Sequence, residues 1–134
     1  MLKKAAFIAL LALPTSTVAS AAPSCGLYQY RAQIVRVVDG DTVRADIDLG
    51  FNTWRRNEPL RLYGIDAPEP KGETRTEGKA STKALVSRVE GKELTICTIK
   101  DKTGKFGRYL VRLYIGDEDI NAWMIKMGYA VPYR

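Results

Sequence analysis

Ile34-Val35-Arg36-Val37-Val38-Asp39-Gly40-Asp41-Thr42-Val43-Arg44-Ala45-Asp46-Ile47-Asp48-Leu49 holds two strand patterns around one turn signal. Residues 34–38 are mostly β-branched, which suits a pleated, half-buried surface. Asp39-Gly40 is strong turn chemistry. From Thr42 the chain alternates, with Val43, Ala45, Ile47 and Leu49 on one face and Arg44, Asp46 and Asp48 on the other. The stretch therefore predicts a tight hairpin with one face on a core.

Downstream, residues 50–59 form a polar connection carrying Trp54, Arg55 and Arg56. Residues 60–65 predict a third strand, closed by Asp66-Ala67-Pro68, where the proline biases Ala67 to an extended backbone. After a polar loop, residues 79–90 predict a helix with Ala80, Ala84, Leu85 and Val89 inward and Gly91 as its stop. Residues 93–99 predict a fourth strand, residues 101–107 a turn and residues 109–115 a fifth strand. Asp117-Glu118-Asp119 opens a last helix, where the dipole favours acids. Ile120, Trp123, Met124 and Met127 form its apolar face. The order βββ-α-ββ-α describes a mainly β fold with helices, a five-stranded Greek-key barrel of the OB-fold type with two packed helices. An open α+β sheet and an SH3-like barrel are the alternatives.

At 134 residues the chain is one domain. Its start reads as a secretory signal peptide over residues 1–21: Lys3 and Lys4, an apolar run over residues 5–13, Pro14, then Ala19-Ser20-Ala21 as a cleavage site. The run is shorter than the ~20 residues that span a bilayer; an uncleaved anchor is the competing reading. Residues 22–134 then form the mature domain, exported to the periplasm or the medium, with no stable membrane association after cleavage. Losing Lys3 and Lys4 lowers the formal net charge of +6 by two. The remaining excess favours polyanionic partners, although many exported proteins are basic without one. Cys25 and Cys97 are the only cysteines. In an oxidising compartment they predict a disulfide from the leader to the fourth strand; two free thiols are the alternative. Ala22-Pro23-Ser24 is a poor lead-in for lipid attachment at Cys25.

The chain has no histidine. Histidine-dependent triads and histidine-ligated metals are excluded, and two cysteines cannot build a structural zinc site. Catalysis is left to carboxylates, arginines, lysines, tyrosines, water and a hard cation, a set suited to phosphate esters or sugars. Two acidic clusters, Asp39-Gly40-Asp41 and Asp66-Ala67-Pro68-Glu69, sit at turns. Carboxylates meeting across a barrel mouth repel unless a cation joins them, and all-oxygen ligands select Ca²⁺ or Mg²⁺. Each cluster alone also reads as an ordinary turn. Arg61 lies inside an apolar run, and a buried arginine needs an anionic partner. Strict alternation places it opposite Asp66 unless the strand ends near Gly64. Arg108, after Gly107, reads either as a solvated arginine or as a site residue.

Together, Asp39-Gly40-Asp41-Thr42-Val43, Arg61-Leu62-Tyr63-Gly64-Ile65-Asp66-Ala67-Pro68-Glu69 and Lys105-Phe106-Gly107-Arg108 resemble the staphylococcal nuclease (thermonuclease) family, over about residues 30–133. The resemblance implies an OB-fold barrel, and a monomeric Ca²⁺-dependent endonuclease that hydrolyses DNA and RNA with little sequence preference and leaves 3′-phosphates. It implies that Asp41, Asp66 and the backbone carbonyl of Ala67 hold the calcium, with Asp39 standing behind them. Glu69 takes the role of the carboxylate at the attacking water, and Arg61 and Arg108 take the roles of phosphate clamps. Carboxylates are weak bases at neutral pH, so Glu69 either deprotonates that water or mainly positions it. The alternative is a catalytically inactive OB-fold module that only binds nucleic acid. The chain departs from the family pattern at Gly104 and Phe106, where the type member has an acid and a tyrosine, and in a longer connection before Leu60. The type member's third helix has no counterpart in this sequence.

Overall fold

The computed structural model describes residues 2–14, 16, 23 and 25–134. β1 (Gln29–Asp39) and β2 (Thr42–Asp48) form the expected hairpin, pairing Ala32 with Ile47, Ile34 with Ala45 and Val37 with Val43. The alternation holds: Val43, Ala45 and Ile47 are buried, although Leu49, past the strand end, is exposed. β1 carries two register shifts, between Ile34 and Arg36 and between Val37 and Asp39. Such bulges bend a strand and increase its twist. The Glu90 carboxylate accepts the Val37 N–H at 2.9 Å in the second of these irregular stretches.

The third strand, β3, is Trp54–Leu62 rather than residues 60–65. Most of the expected polar connection is thus sheet, and the turn shrinks to the residues between Asp48 and Trp54, which pair. Residues 54–59 show no buried face, so no apolar alternation betrays them. Their ladder is held by β2, where Asp46 accepts from the Asn57 N–H at 2.8 Å and from Arg56 at 2.9 Å. β3 ends at Leu62, and Tyr63-Gly64 reverses the chain with Gly64 at φ +78°, before the two-residue strand β4 (Ile65–Asp66).

α1 (Arg75–Val89) starts four residues before its expected position. β5 (Glu93–Thr103) pairs with β1 and with β6 (Tyr109–Ile115), and runs past the expected end of the fourth strand. β6 lies parallel to β3, with Leu60, Arg61 and Leu62 opposite Tyr109, Leu110 and Val111. The sheet order β3-β2-β1-β5-β6 closes on itself through that pairing. This is the closed five-stranded barrel with two helices expected for the OB fold. Its interior holds Ile34, Leu60, Leu62, Ile96, Val111 and Leu113, all at most 1% exposed.

The inner face of α1 is Gly78, Ser81, Leu85 and Val89. Ala80 is exposed and Ala84 half-buried, so the expected face was rotated. The upper half of the helix packs on backbone, which selects small residues instead of apolar ones. A short strand, β7 (Glu118–Asp119), precedes α2 (Ile120–Lys126), and Asp119 caps the helix by accepting the Ala122 N–H at 3.0 Å. Ile120 and Met124 are buried, whereas Met127 lies past the helix end and is 52% exposed. Asn121 is buried and fully bonded. Its amide donates to the carbonyls of Tyr63 and Val111, and its oxygen accepts the Leu113 N–H at 3.1 Å. It ties α2 both to the barrel and to the turn that leads into Asp66. The chain ends in β8 (Val131–Pro132), antiparallel to β4.

A disulfide joins Cys25 to Cys97, with Cα atoms 5.8 Å apart. Closing a loop of this length contributes about 2–4 kcal/mol when unstrained. Residues 2–14 form no helix or strand and are exposed. Ala19-Ser20-Ala21 lies outside the described residues. Among the described residues, no helix is long and apolar enough to cross a membrane.

Candidate active site

Asp41 is the hub of the site. It starts at the hairpin turn, where the Asp39 carboxylate accepts the Asp41 N–H at 3.1 Å and fixes the loop. Gly40 makes this turn possible beside α1, since a Cβ there would lie 2.0 Å from Ser81 Oγ and 2.7 Å from Ala67 Cβ. One Asp41 oxygen accepts the Ala67 N–H at 2.8 Å and pairs with Arg61 at 3.1 Å. The other accepts the Thr42 hydroxyl at 3.1 Å. Thr42 in turn accepts from Arg108 at 2.9 Å. The second guanidinium nitrogen of Arg61 meets Asp66 at 3.1 Å. One polar chain therefore runs Arg108–Thr42–Asp41–Arg61–Asp66.

The reversal at Tyr63-Gly64 is what lets Arg61 and Asp66 meet despite their opposite parity along the strand. Arg61 is held further by the carbonyls of Asp41 and Leu62, at 3.4 and 3.3 Å. Arg108 is aimed by its Nε–H on the Lys105 carbonyl at 3.1 Å. Glu69 is exposed, but its backbone is fixed: its carbonyl accepts the Thr74 hydroxyl at 2.9 Å and rests against Gly78 of α1.

Asp39, Asp41, Arg61, Asp66, Glu69 and Arg108 all line one cleft of about 500 Å³. Of the expected site residues only Ala67 is not in that lining. It is buried behind Asp41, and its N–H is the group engaged there. Thr42, Tyr133 and Arg134 are additions. Thr42 follows Asp41 in the turn motif and, with it, links the two arginines. Tyr133 and Arg134 reach the cleft because β8 pairs with β4, a tertiary contact with no local signal.

The charge balance at Asp41 is poor. Burial pushes its carboxyl up to about 6, against the opposing pull of the Ala67 N–H and Arg61, and the Asp39 carboxylate adds to the rise. The folded value lies above an ordinary carboxylate's. The protonated form is thus favoured by folding, and stability declines as pH rises from about 4 through about 6, by about 2–3 kcal/mol. Asp41→Asn is expected to remove this slope and to raise Tm at pH 7.5 in chelator. Urea melts from pH 4 to 8 check it, and an unchanged slope in the variant contradicts the assignment. Asp41 and Asp66 flank Arg61 with one net negative charge, an oxygen donor set that suits a hard divalent cation. Among the described residues, no group of three or more acidic, histidine or cysteine side chains forms a ready-made metal cage.

A closed barrel of this order, with three arginines and four carboxylates around one cleft, defines a class that comparison with known proteins makes explicit. The family model described as "Staphylococcal nuclease homologue" matches residues 59–134. The chain belongs to this family. It is 30% identical over 100 residues to a thermonuclease of Staphylococcus intermedius, covering 72% of this chain and 56% of that protein. It is 27% identical over 131 residues to a thermonuclease of Staphylococcus hyicus, covering 93% and 74%. It is 26% identical over 111 residues to an uncharacterized endonuclease of Haemophilus influenzae, covering 83% and 57%. The chain thus spans a little over half the length of the first and third of these relatives. The matched segment includes Arg61, Asp66, Glu69 and Arg108, and leaves Asp41 outside.

Proposed function

We propose that the chain is an exported, monomeric, calcium-dependent endonuclease that hydrolyses phosphodiester bonds of DNA and RNA with little sequence preference and leaves 3′-phosphates. The observation that carries this reading is the polar chain from Arg108 to Asp66, with Glu69 in the same cleft. Acids in a groove repel a polyanion, so a module that only binds nucleic acid gains nothing from them. The names of the relatives support the same class of chemistry. The basic, apolar, cleavable pattern of residues 1–21 supports export, as does the disulfide.

Asp41, Asp66 and the Ala67 carbonyl are the groups that would hold Ca²⁺. When bound, the ion supplies positive charge beside the phosphate and lowers the pKa of adjacent water. Arg61 and Arg108 hold the equatorial oxygens of the scissile phosphate, where forked guanidiniums offer paired donors. Glu69 orients the attacking water and takes up its proton. The water oxygen bonds to phosphorus, the bond to the 5′ oxygen breaks, and a proton from solvent completes the 5′-hydroxyl. Asp39 keeps the Asp41 loop in place through its bond to the Asp41 N–H.

The test is cleavage of single-stranded DNA and RNA with Ca²⁺ and with chelator, for the wild type and Glu69→Gln. Activity that requires Ca²⁺ and falls about 10²-fold or more in the variant is expected. Tight binding of DNA without cleavage at any Ca²⁺ concentration would establish the inactive binding module instead.

A further inference from the structure

We propose that the outer flank of α1 is a second binding surface, a track for the phosphodiester backbone of a strand that extends out of the cleft. The proposal rests on the nuclease reading for its substrate. Lys71, Arg75, Lys79 and Lys83 recur every fourth residue and are all exposed. Among the described residues, none of the four lies within 4 Å of a carboxylate.

At 3.6 residues per turn, a step of four residues advances about 40° around a helix. Arg75, Lys79 and Lys83 therefore form one slowly winding row. The buried residues Gly78, Ser81, Leu85 and Val89 lie to one side of that row. Glu77 and Arg88 project on the far side of the buried face, where Arg88 pairs with Glu118 and stacks on Trp123 of α2. The only acid within the helix span is thus turned away from the row, and α2 flanks the other side.

The row begins beside Glu69, which lines the cleft. Thr74, immediately before Arg75, donates to the Glu69 carbonyl, and Gly78 rests against the same peptide. From Arg75 to Lys83 the helix rises about 12 Å. A strand held at Arg61 and Arg108 thus meets unpaired positive charge where it leaves the cleft past Glu69. Lysine and arginine contacts of this kind bind without sequence preference and release counterions.

The test compares the wild type with Arg75→Gln/Lys79→Gln/Lys83→Gln on a labelled 30-nucleotide single strand and on a four-nucleotide strand. Binding is measured by anisotropy in chelator over a range of salt, and cleavage is measured with Ca²⁺. For the long strand, the expected result is a binding loss of about tenfold at low salt, with the log–log salt slope reduced by roughly 2 for three lost contacts. Binding and turnover of the short strand are expected to stay near wild type. Arg75→Lys/Lys79→Arg/Lys83→Arg should bind the long strand like the wild type. An unchanged slope for the long strand overturns the track, as does an equal loss on both strands. A wild type that binds long DNA through the row but never cuts it leaves the track standing and sinks the nuclease reading alone.

Discussion

Arg61→Ala is expected to lower turnover on DNA by about 10²–10³-fold or more, the loss typical of one preorganised donor to a charged transition state. Arg108→Ala is expected to cost a similar factor. The two should differ in stability. The Arg61 side chain is 13% exposed and is paired with Asp41, which is 10% exposed. Removing it leaves a buried carboxylate without its cation, a loss of about 3–5 kcal/mol for a fully buried pair and somewhat less here. Part of that loss is relieved by protonation, because burial already pushes Asp41 up. Arg61→Ala should therefore be least stable at neutral pH and recover toward pH 5. Arg108 contacts a threonine hydroxyl and a backbone carbonyl, with no carboxylate to strand. Its variant should melt near the wild type at every pH. Turnover and urea melts at pH 5 and 7.5 make the comparison. Wild-type turnover in both variants would refute the clamp assignment, and equal stability losses would refute the hub role of Asp41.

Gly78→Ala is expected to destabilise the protein by about 1–3 kcal/mol through overpacking and to lower turnover by about 10²-fold. In a free helix this change is favourable by about 1 kcal/mol. Here the added Cβ would stand 2.2 Å from the Glu69 carbonyl oxygen and 2.4 Å from the Pro70 nitrogen. Both are backbone atoms, so either α1 or the Glu69 loop must move. A displacement of about 1 Å at a reacting group is enough for a loss of that size. Ala80→Gly, exposed on the same helix, is the control: it should cost about 1 kcal/mol of helix propensity with turnover unchanged. A fully active, stabilised Gly78→Ala would mean that α1 does not set the position of Glu69.

Arg61, Arg108 and Gly78 differ in how plainly the sequence shows their roles. Arg61 stood out as a charge inside an apolar run, and Arg108 through its motif. The hairpin at Asp39-Gly40 was visible because one face is buried and period 2 shows through it. Residues 54–59 were hidden because neither face is apolar, and their strand is held by β2 and by Asp46. The upper inner face of α1 was hidden for a different reason. Apolar periodicity finds helix faces that pack on side chains, whereas Gly78 and Ser81 pack on the Glu69 peptide and on Gly40. Close backbone approach selects for lack of bulk, and that has no period of its own.

By itself the sequence determined the inventory and the local geometry: strand alternation, the Asp39-Gly40 turn, the extended Ala67 before proline, and a set of carboxylates and arginines with no histidine to compete. The tertiary structure alone decided what meets. Closing the barrel through β3 and β6 brings Arg108 to Thr42, and the glycine reversal after Leu62 turns Asp66 back onto Arg61. Pairing β8 with β4 carries Tyr133 to the cleft from the far end of the chain. Such contacts join residues separated by up to 67 positions, and a local pattern, whose physics extends over a few neighbours, holds no record of them.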